Sequence, residues 1–163
     1  MSGTDQIRRL KPAERAAQRK SAARLNAVQA LYQLDVGGGG IETVIDEFHH
    51  HRIGALVEGE QYPDADIAYF DRLVRGVADE QVRIDRAMET CLKDGWSIVR
   101  LDRALRALLR CALYEMLCEA AVPTAVIIDE YMHVAHAFFS GDEPALVNGI
   151  LDRAARDFRS ETA

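Results

Sequence analysis

Residues 101–117 read LDRALRALLRCALYEML and indicate the fold class. The apolar residues of this stretch recur every three or four positions, which is the spacing of one face of an α-helix rather than of a β-strand. The apolar stripe is wide enough to predict a central, largely buried helix. Trp96 and Leu101 flank Ser97 at the spacing of a hydrophobic staple, so we expect Ser97 to cap this helix.

Helical spacing continues on both sides of this stretch. Residues 12–35 are rich in strong helix formers, with Pro12 in the first turn and the glycines of 37–40 at the end. A long amphipathic stretch over 64–94 contains Gly76, which either bends the helix or marks the close approach of another helix.

Helical spacing also places Ile41 and Phe48 on one helix, with the histidines of 49–51 at its end. Another helix is capped by Pro123-Thr124 and carries apolar residues from Ile127 to Phe138, and the last runs from its N-cap Asp142 to about Phe158. We expect a loop over 54–63.

No stretch alternates apolar and polar residues in the manner of a strand. The sequence therefore predicts an all-α fold of six to seven helices. We expect a flexible basic leader over residues 1–11, a helical domain over 12–158 and a C-terminal tail over 159–163.

The composition fits a compact protein. The chain has 163 residues and is 48% hydrophobic, enough for the core of one domain or of two small subdomains. No apolar run reaches the roughly 18 residues that a membrane-spanning helix needs, and no apolar stretch follows the basic N-terminus as in a signal peptide. We therefore expect a soluble, cytoplasmic protein.

Basic residues are concentrated near the N-terminus. Residues 6–34 have a local charge of +6, on a chain whose net charge is −6. Arg15 and Arg19 are four residues apart, as are Lys20 and Arg24, so a helix spreads these cations over a broad sector. Such a sector fits the phosphate backbone of a nucleic acid, and it fits a solvated helix face about equally well.

The histidines do not form a recognisable metal site. His49, His50 and His51 are adjacent, and adjacent side chains point about 100° apart on a helix, so the three cannot chelate one metal in that geometry. His133 and His136 are three residues apart but have no evident third ligand. We interpret all five as exposed polar residues, and we expect no metal.

The remaining reactive residues do not indicate catalysis either. Cys91, Cys111 and Cys118 lack zinc-ligand spacing and are expected to be buried as small apolar side chains. The glycines of 37–40 lack the lysine and the serine or threonine of a phosphate-binding loop, and no nucleophile elbow is present. We therefore expect a protein that is not an enzyme and that uses no cofactor.

Several segments carry a further signal when they are taken together and in order. The sequence AVQALY stands at 27–32, YF at 69–70 with GV at 76–77, LRCALYEM at 109–116, VP at 122–123 with IDE at 128–130, and VNGILD at 147–152. Over roughly residues 15–156 this series resembles the NusB family of transcription antitermination factors. The resemblance implies two three-helix subdomains that share a core.

The resemblance also implies a function. Family members bind the single-stranded boxA element of ribosomal-RNA leader transcripts together with NusE, a small-subunit ribosomal protein, in a complex on RNA polymerase. Lys20 and Arg24 match the family's arginine-rich RNA-contacting segment. Asp142 matches the acidic loop residue that borders the RNA and partner sites, and Tyr32 is a candidate for the partner-facing side or, equally, a core aromatic.

The chain departs from the family pattern in three places. The family often has three consecutive arginines where this chain has residues 20–22, KSA, and we expect Arg15 and Arg19 to compensate as RNA contacts. An aromatic residue common before VNG is Leu146, and a lysine common near the end of the preceding helix is His136. These departures concern the RNA footprint and the affinity more than the family.

Two alternatives remain open from the sequence. A NusB-like domain also precedes the catalytic domain of an rRNA cytosine methyltransferase family, and because the chain ends at Ala163 it would then be a fragment. The chain could instead be an interaction module that forms a homodimer, with its basic arm masked against the acidic body.

Overall fold

The computed structural model describes residues 10–51, 56–57, 60–61 and 65–159, so most of the predicted leader and the last four residues of the predicted tail lie outside the described residues. The described ranges contain seven α-helices, and the predicted all-α fold is confirmed. The helices are α1 (Pro12–Gly37), α2 (Ile41–His51), α3 (Ile67–Asp79), α4 (Gln81–Cys91), α5 (Arg103–Cys118), α6 (Thr124–Phe138) and α7 (Glu143–Phe158).

The helices pack as two groups around one shared core. α1, α2 and α3 contact one another, while α4, α6 and α7 pack on α5. α1 and α3 also pack on α5, which joins the groups, and the apolar faces of all seven helices meet in one continuous cluster. Ten of the 16 residues of α5 are buried, so the prediction of a central buried helix is confirmed.

The amphipathic stretch over 64–94 forms two helices rather than one. α3 ends at Asp79 and α4 begins at Gln81, with Glu80 between them at φ −104° and ψ 14°. The break lets α3 pack on α1 while α4 packs on α5 and α7, which a single straight helix does not allow. The second group therefore has four helices, one more than the resemblance implied.

Gly76 marks a close approach between α3 and α5. A Cβ atom at this position would overlap the ring of Tyr114. Of the two interpretations of Gly76, the structure therefore supports helix contact, and the helix break comes four residues later at Glu80.

The start of α5 differs from the expectation. Asp102 caps the helix, because its Oδ1 accepts hydrogen bonds from the backbone N–H groups of Ala104 and Leu105 at 2.9 and 3.3 Å. Ser97 instead precedes a single 3-10 turn and makes no side-chain cap, and Trp96 is 51% exposed. The expected hydrophobic staple is therefore wrong, since a staple requires a packed aromatic side chain.

The C-terminal end of α5 is closed by Arg159, a residue that we expected in the tail. Its guanidinium donates to the carbonyl oxygens of Glu115, Met116, Glu119 and Val122 at 2.9, 2.9, 2.7 and 2.5 Å. The last carbonyl groups of a helix have few partners within the helix, and this one side chain supplies donors to them. The carbonyl oxygens of Glu115 and Glu119 also accept from the backbone N–H groups of Glu119 and Val122.

A short antiparallel pair, β1 (Leu56–Val57) and β2 (Glu60–Gln61), lies where we expected a loop, with Leu56 opposite Gln61. Two residues a strand are too few to change the fold class. In the described part of the chain, no helix combines the length and the apolar character needed to cross a membrane.

Candidate nucleic-acid and partner-binding surface

The first turns of α1 extend away from the core. Residues 11–20 are exposed apart from the partly buried Glu14, and the buried face of α1 begins only at Ala23. None of the ion pairs between described residues involves the cations of this segment. We call the segment over residues 11–20 the basic arm. It carries three of the predicted RNA contacts, Arg15, Arg19 and Lys20.

Arg24, the fourth predicted contact on α1, is not on this surface. Its side chain is 3% exposed, and its Nε and Nη2 donate to the two carboxylate oxygens of Glu115 at 2.9 and 3.0 Å. Its Nη1 lies 3.5 Å from Oε1 of Glu130. The prediction that Arg24 contacts RNA is therefore wrong, because a phosphate cannot reach a guanidinium that is enclosed and already paired.

Glu115 is the centre of a buried polar network. The carboxylate is 0% exposed and accepts hydrogen bonds from the hydroxyl groups of Tyr69 on α3 and Tyr131 on α6 as well as from Arg24. Burial is the main cause that raises the pKa of both hydroxyls, so both remain protonated donors. Burial alone would lower the pKa of Arg24, but the hydrogen bonds and the negative charge of Glu115 outweigh it and raise the pKa of Arg24 above its ordinary value. The network joins α1, α3, α5 and α6.

One signal in the sequence pointed to this network. Glu115 stands in the apolar stripe of 101–117, one turn after Cys111 and Ala112, where helical spacing predicts burial. A buried carboxylate needs a cation or several donors nearby. The sequence does not show which cation that is, since Arg24 and Lys20 share one face of α1.

A second surface lies farther along α1, where an apolar groove of about 420 Å³ opens between α1, α2 and α6. Tyr32, Val36 and Phe138 line the groove and are 43%, 46% and 39% exposed, above a floor that includes the buried Phe48. Of the two interpretations of Tyr32, the structure therefore supports a surface residue rather than a core aromatic. We call this surface the aromatic groove.

Asp142 directly precedes α7 and is exposed. It occupies the N-cap position as expected, but its side chain accepts no hydrogen bond from the helix.

The predicted site residues fall at two ends of the α1–α6 pair. At one end the hydroxyl of Ser21 donates to Oε1 of Glu130 at 2.7 Å, and at the other end Tyr32 and Phe138 line the same groove. Between Ser21 and Tyr32 the helix rises about 17 Å. Asp142 follows Phe138 by four residues and so belongs to the groove end, away from the basic arm.

The histidines and cysteines have structural surroundings. Nε2 of His49 lies 2.6 Å from Asp71, and Nδ1 of His50 lies 2.8 Å from the carbonyl of Asp46, so His49 is partly buried rather than fully exposed as we expected. Cys91 and Cys111 are buried and Cys118 is partly buried. Over residues 10–51 and 65–159, no three His, Cys, Asp or Glu side chains are grouped as metal ligands.

Comparisons with known proteins agree with the fold. A model of the NusB family matches residues 21–156. The transcription antitermination protein NusB of Rhizobium rhizogenes is 48% identical over 161 residues, which cover 99% of this chain and 98% of that protein. NusB of T. maritima is 30% identical, with a TM-score of 0.69 over 85% of this chain and 91% of that chain.

A structure of the antitermination factors NusB and NusE in complex with double-stranded RNA shares the fold, with a TM-score of 0.71 and 20% identity over 86% of this chain and 98% of that chain. The matched relatives are named as transcription antitermination proteins, which confirms the expectation of a non-enzymatic protein. The extent of the family match and the identity with whole relatives lead to one conclusion: the chain belongs to the NusB family.

Proposed function

We propose that the protein is an RNA-binding transcription antitermination factor. In this proposal it binds single-stranded boxA RNA of ribosomal-RNA leader transcripts together with NusE, within a cytoplasmic complex on RNA polymerase. The family membership, the names of the relatives and the NusB–NusE–RNA complex with the same fold support it.

The observation that carries the proposal is the basic arm. Three exposed cations, Arg15, Arg19 and Lys20, lie on one helical segment of a protein whose net charge is −6. Cations that are not neutralised by neighbouring carboxylates can bind phosphates and release their counterions, which favours association. The acidic remainder repels RNA elsewhere, so binding concentrates on the arm.

Reading of the RNA sequence needs groups other than the arm. An RNA strand that leaves the arm along α1 and α6 reaches Asp142 after about 17 Å or more, which corresponds to roughly five nucleotides at stacked spacing. An exposed carboxylate can accept a hydrogen bond from the exocyclic amine of a base, a contact that distinguishes cytosine from uracil. Asp142 is therefore our candidate for base recognition.

The aromatic groove is our candidate for the NusE surface. An exposed apolar cluster lines the groove and consists of Tyr32, Val36 and Phe138. Aromatic residues that become buried when a partner binds contribute much of the binding energy of protein interfaces. Tyr32→Ala should weaken NusE binding by about 1–3 kcal/mol. Phe158→Ala is the matched control, because Phe158 is an equally exposed aromatic residue outside the groove.

Fluorescence anisotropy with labelled boxA RNA and a scrambled RNA, each with and without NusE, tests the proposal. We expect boxA to bind more tightly than the scrambled RNA and NusE to tighten boxA binding further. Equal affinity for both RNAs without any effect of NusE would contradict the proposed function while leaving the fold assignment in place.

The aromatic groove also favours a second candidate, self-association, because an exposed apolar surface can be covered by another copy of the chain. Light scattering with and without RNA distinguishes the two. A monomer that forms a one-to-one complex with RNA supports the first candidate, and a dimer that RNA does not dissociate supports the second.

A further inference from the structure

Lys20 of the basic arm is held against an aromatic ring. Its Nζ lies 5.3 Å from the ring centroid of Tyr69, within the range of a cation–π contact. Lys20 is exposed, whereas Tyr69 is buried. An exposed, flexible side chain thus ends on a fixed platform. Cζ of the buried Arg24 also lies 5.3 Å from the centroid of this ring. Within the described part of the chain, Arg15 and Arg19 have no such contact with a ring.

The platform is fixed by several independent contacts. The backbone N–H of Tyr69 donates to Oδ1 of Asp66 at 3.0 Å, and its hydroxyl donates to Glu115. The backbone N–H of Asp66 in turn donates to the carbonyl oxygen of Arg19 at 2.9 Å, which ties the start of α3 to the arm beside Lys20. The ring therefore has a defined position relative to the backbone that carries the arm.

A cation on a ring face keeps its hydrogen-bonding capacity. The ring attracts the ammonium through its quadrupole and uses none of its three N–H donors as a conventional hydrogen bond. A lysine so held loses less conformational freedom when it binds a phosphate, because part of the ordering is already present in the free protein. A lysine in an ion pair would instead have to give up its carboxylate partner.

We propose that Tyr69 is a positioning residue for RNA binding, which holds the ammonium of Lys20 at the place where it contacts a phosphate of the RNA. This role rests on the proposed function of the basic arm. The ring and the hydroxyl of Tyr69 have different partners, since the ring contacts Lys20 and the buried Arg24, whereas the hydroxyl donates to the buried Glu115.

This separation gives the test. Tyr69→Phe keeps the ring and loses the hydroxyl, whereas Tyr69→Leu loses both. We expect Tyr69→Leu to raise the dissociation constant for single-stranded boxA-type RNA by about two- to fivefold, the range that an exposed cation–π contact allows. We expect Tyr69→Phe to bind RNA like the wild type, although urea denaturation should show that both variants are less stable.

Tyr114→Leu is the matched control. Tyr114 is also a buried tyrosine whose hydroxyl donates to a glutamate, but it packs on Gly76 rather than on the arm. This control should lose stability and keep its RNA affinity. The positioning role is overturned if Tyr69→Leu binds RNA as tightly as the wild type or more tightly, or if Tyr69→Phe loses as much affinity as Tyr69→Leu.

If Tyr69→Leu does not fold, a measurement on the wild-type protein tests the same proposal. Ring currents should shift the ε-methylene protons of Lys20 upfield in the NMR spectrum of the free protein, and the shift should persist when boxA-type RNA is added. Loss of the shift on RNA binding would show that Lys20 leaves the ring to reach the phosphate, which overturns the proposal.

The same experiments distinguish the two levels of inference. No RNA binding by the wild-type protein overturns the proposed function, and the positioning role with it. RNA binding by the wild type that weakens in Lys20→Gln but not in Tyr69→Leu overturns the positioning role alone.

Discussion

Replacement of Arg24 by methionine should destabilise the fold by about 3–5 kcal/mol, because it leaves a buried carboxylate without its cation. Arg24 and Glu115 are 3% and 0% exposed and share two hydrogen bonds of 2.9 and 3.0 Å. Methionine keeps the unbranched apolar part of the side chain, so the loss comes mainly from the charge and the hydrogen bonds. For a chain of this size the loss corresponds to a decrease in Tm of roughly 6–20 °C.

Urea denaturation followed by far-ultraviolet circular dichroism at pH 7 measures this loss. The double variant Arg24→Met, Glu115→Gln should recover part of it, because the amide is neutral and its oxygen still accepts from the hydroxyls of Tyr69 and Tyr131. Arg15→Met, at an exposed position of the same helix, should change the stability by less than about 0.5 kcal/mol.

Two results would contradict the role of Arg24 as the cation that compensates the buried charge of Glu115. A loss below about 1 kcal/mol in Arg24→Met would place the pair in the range of surface ion pairs. A double variant no more stable than the single one would show that the uncompensated charge of Glu115 is not the cause of the loss.

Three further variants or reactions test the packing. Gly76→Ala should lower the free energy of unfolding by about 1–3 kcal/mol, because the added Cβ meets the ring of Tyr114. Gly149→Ala in α7, where a Cβ meets no atom within 4 Å, should instead raise it by up to about 1 kcal/mol. Equal effects of the two variants in thermal melts would contradict the close approach at Gly76. Arg159→Ala should lower the free energy of unfolding in urea denaturation by about 2–4 kcal/mol, since carbonyl oxygens at the end of α5 lose a charged donor, although those of Glu115 and Glu119 keep a backbone donor. An unchanged midpoint would show that water replaces the guanidinium without loss of stability. Burial raises the pKa of the Cys111 thiol to about 12. At pH 8 this thiol should therefore react with a disulfide reagent only after the protein unfolds. Labelling of Cys111 in the native protein as fast as in urea would contradict its burial.

The helices with one buried face were predictable from the sequence. The helix expected from the N-cap Asp142 to about Phe158 coincides with α7, and the apolar residues expected on helices at Ile41–Phe48 and Ile127–Phe138 lie in α2 and α6. In these segments the apolar spacing follows the face that meets the core. The break at Glu80 was not predictable from local signals, since neither glycine nor proline stands there. It follows from tertiary packing, which directs α3 and α4 to different neighbours.

The candidate site was predictable only in part, for the same physical reason. Helical spacing places Lys20 and Arg24 on one face of α1, yet one is exposed and the other buried. Which of the two side chains enters the core depends on where α1 crosses α5. The position of this crossing is set by contacts between residues far apart in the sequence. The exposure of Tyr32 depends likewise on where α6 ends, at Phe138 beside it.

The salt dependence of the affinity for boxA-type RNA tests directly whether the basic arm is the RNA-binding surface. With roughly four to six phosphate contacts, the slope of log K against log salt concentration should be about −3 to −4 for the wild type. Arg15→Ala with Arg19→Ala should reduce its magnitude by about 1.4, while Arg86→Ala, at an exposed position of α4 in the other helix group, should leave it unchanged. The same slope in all three proteins would contradict the assignment of the basic arm as the RNA-binding surface.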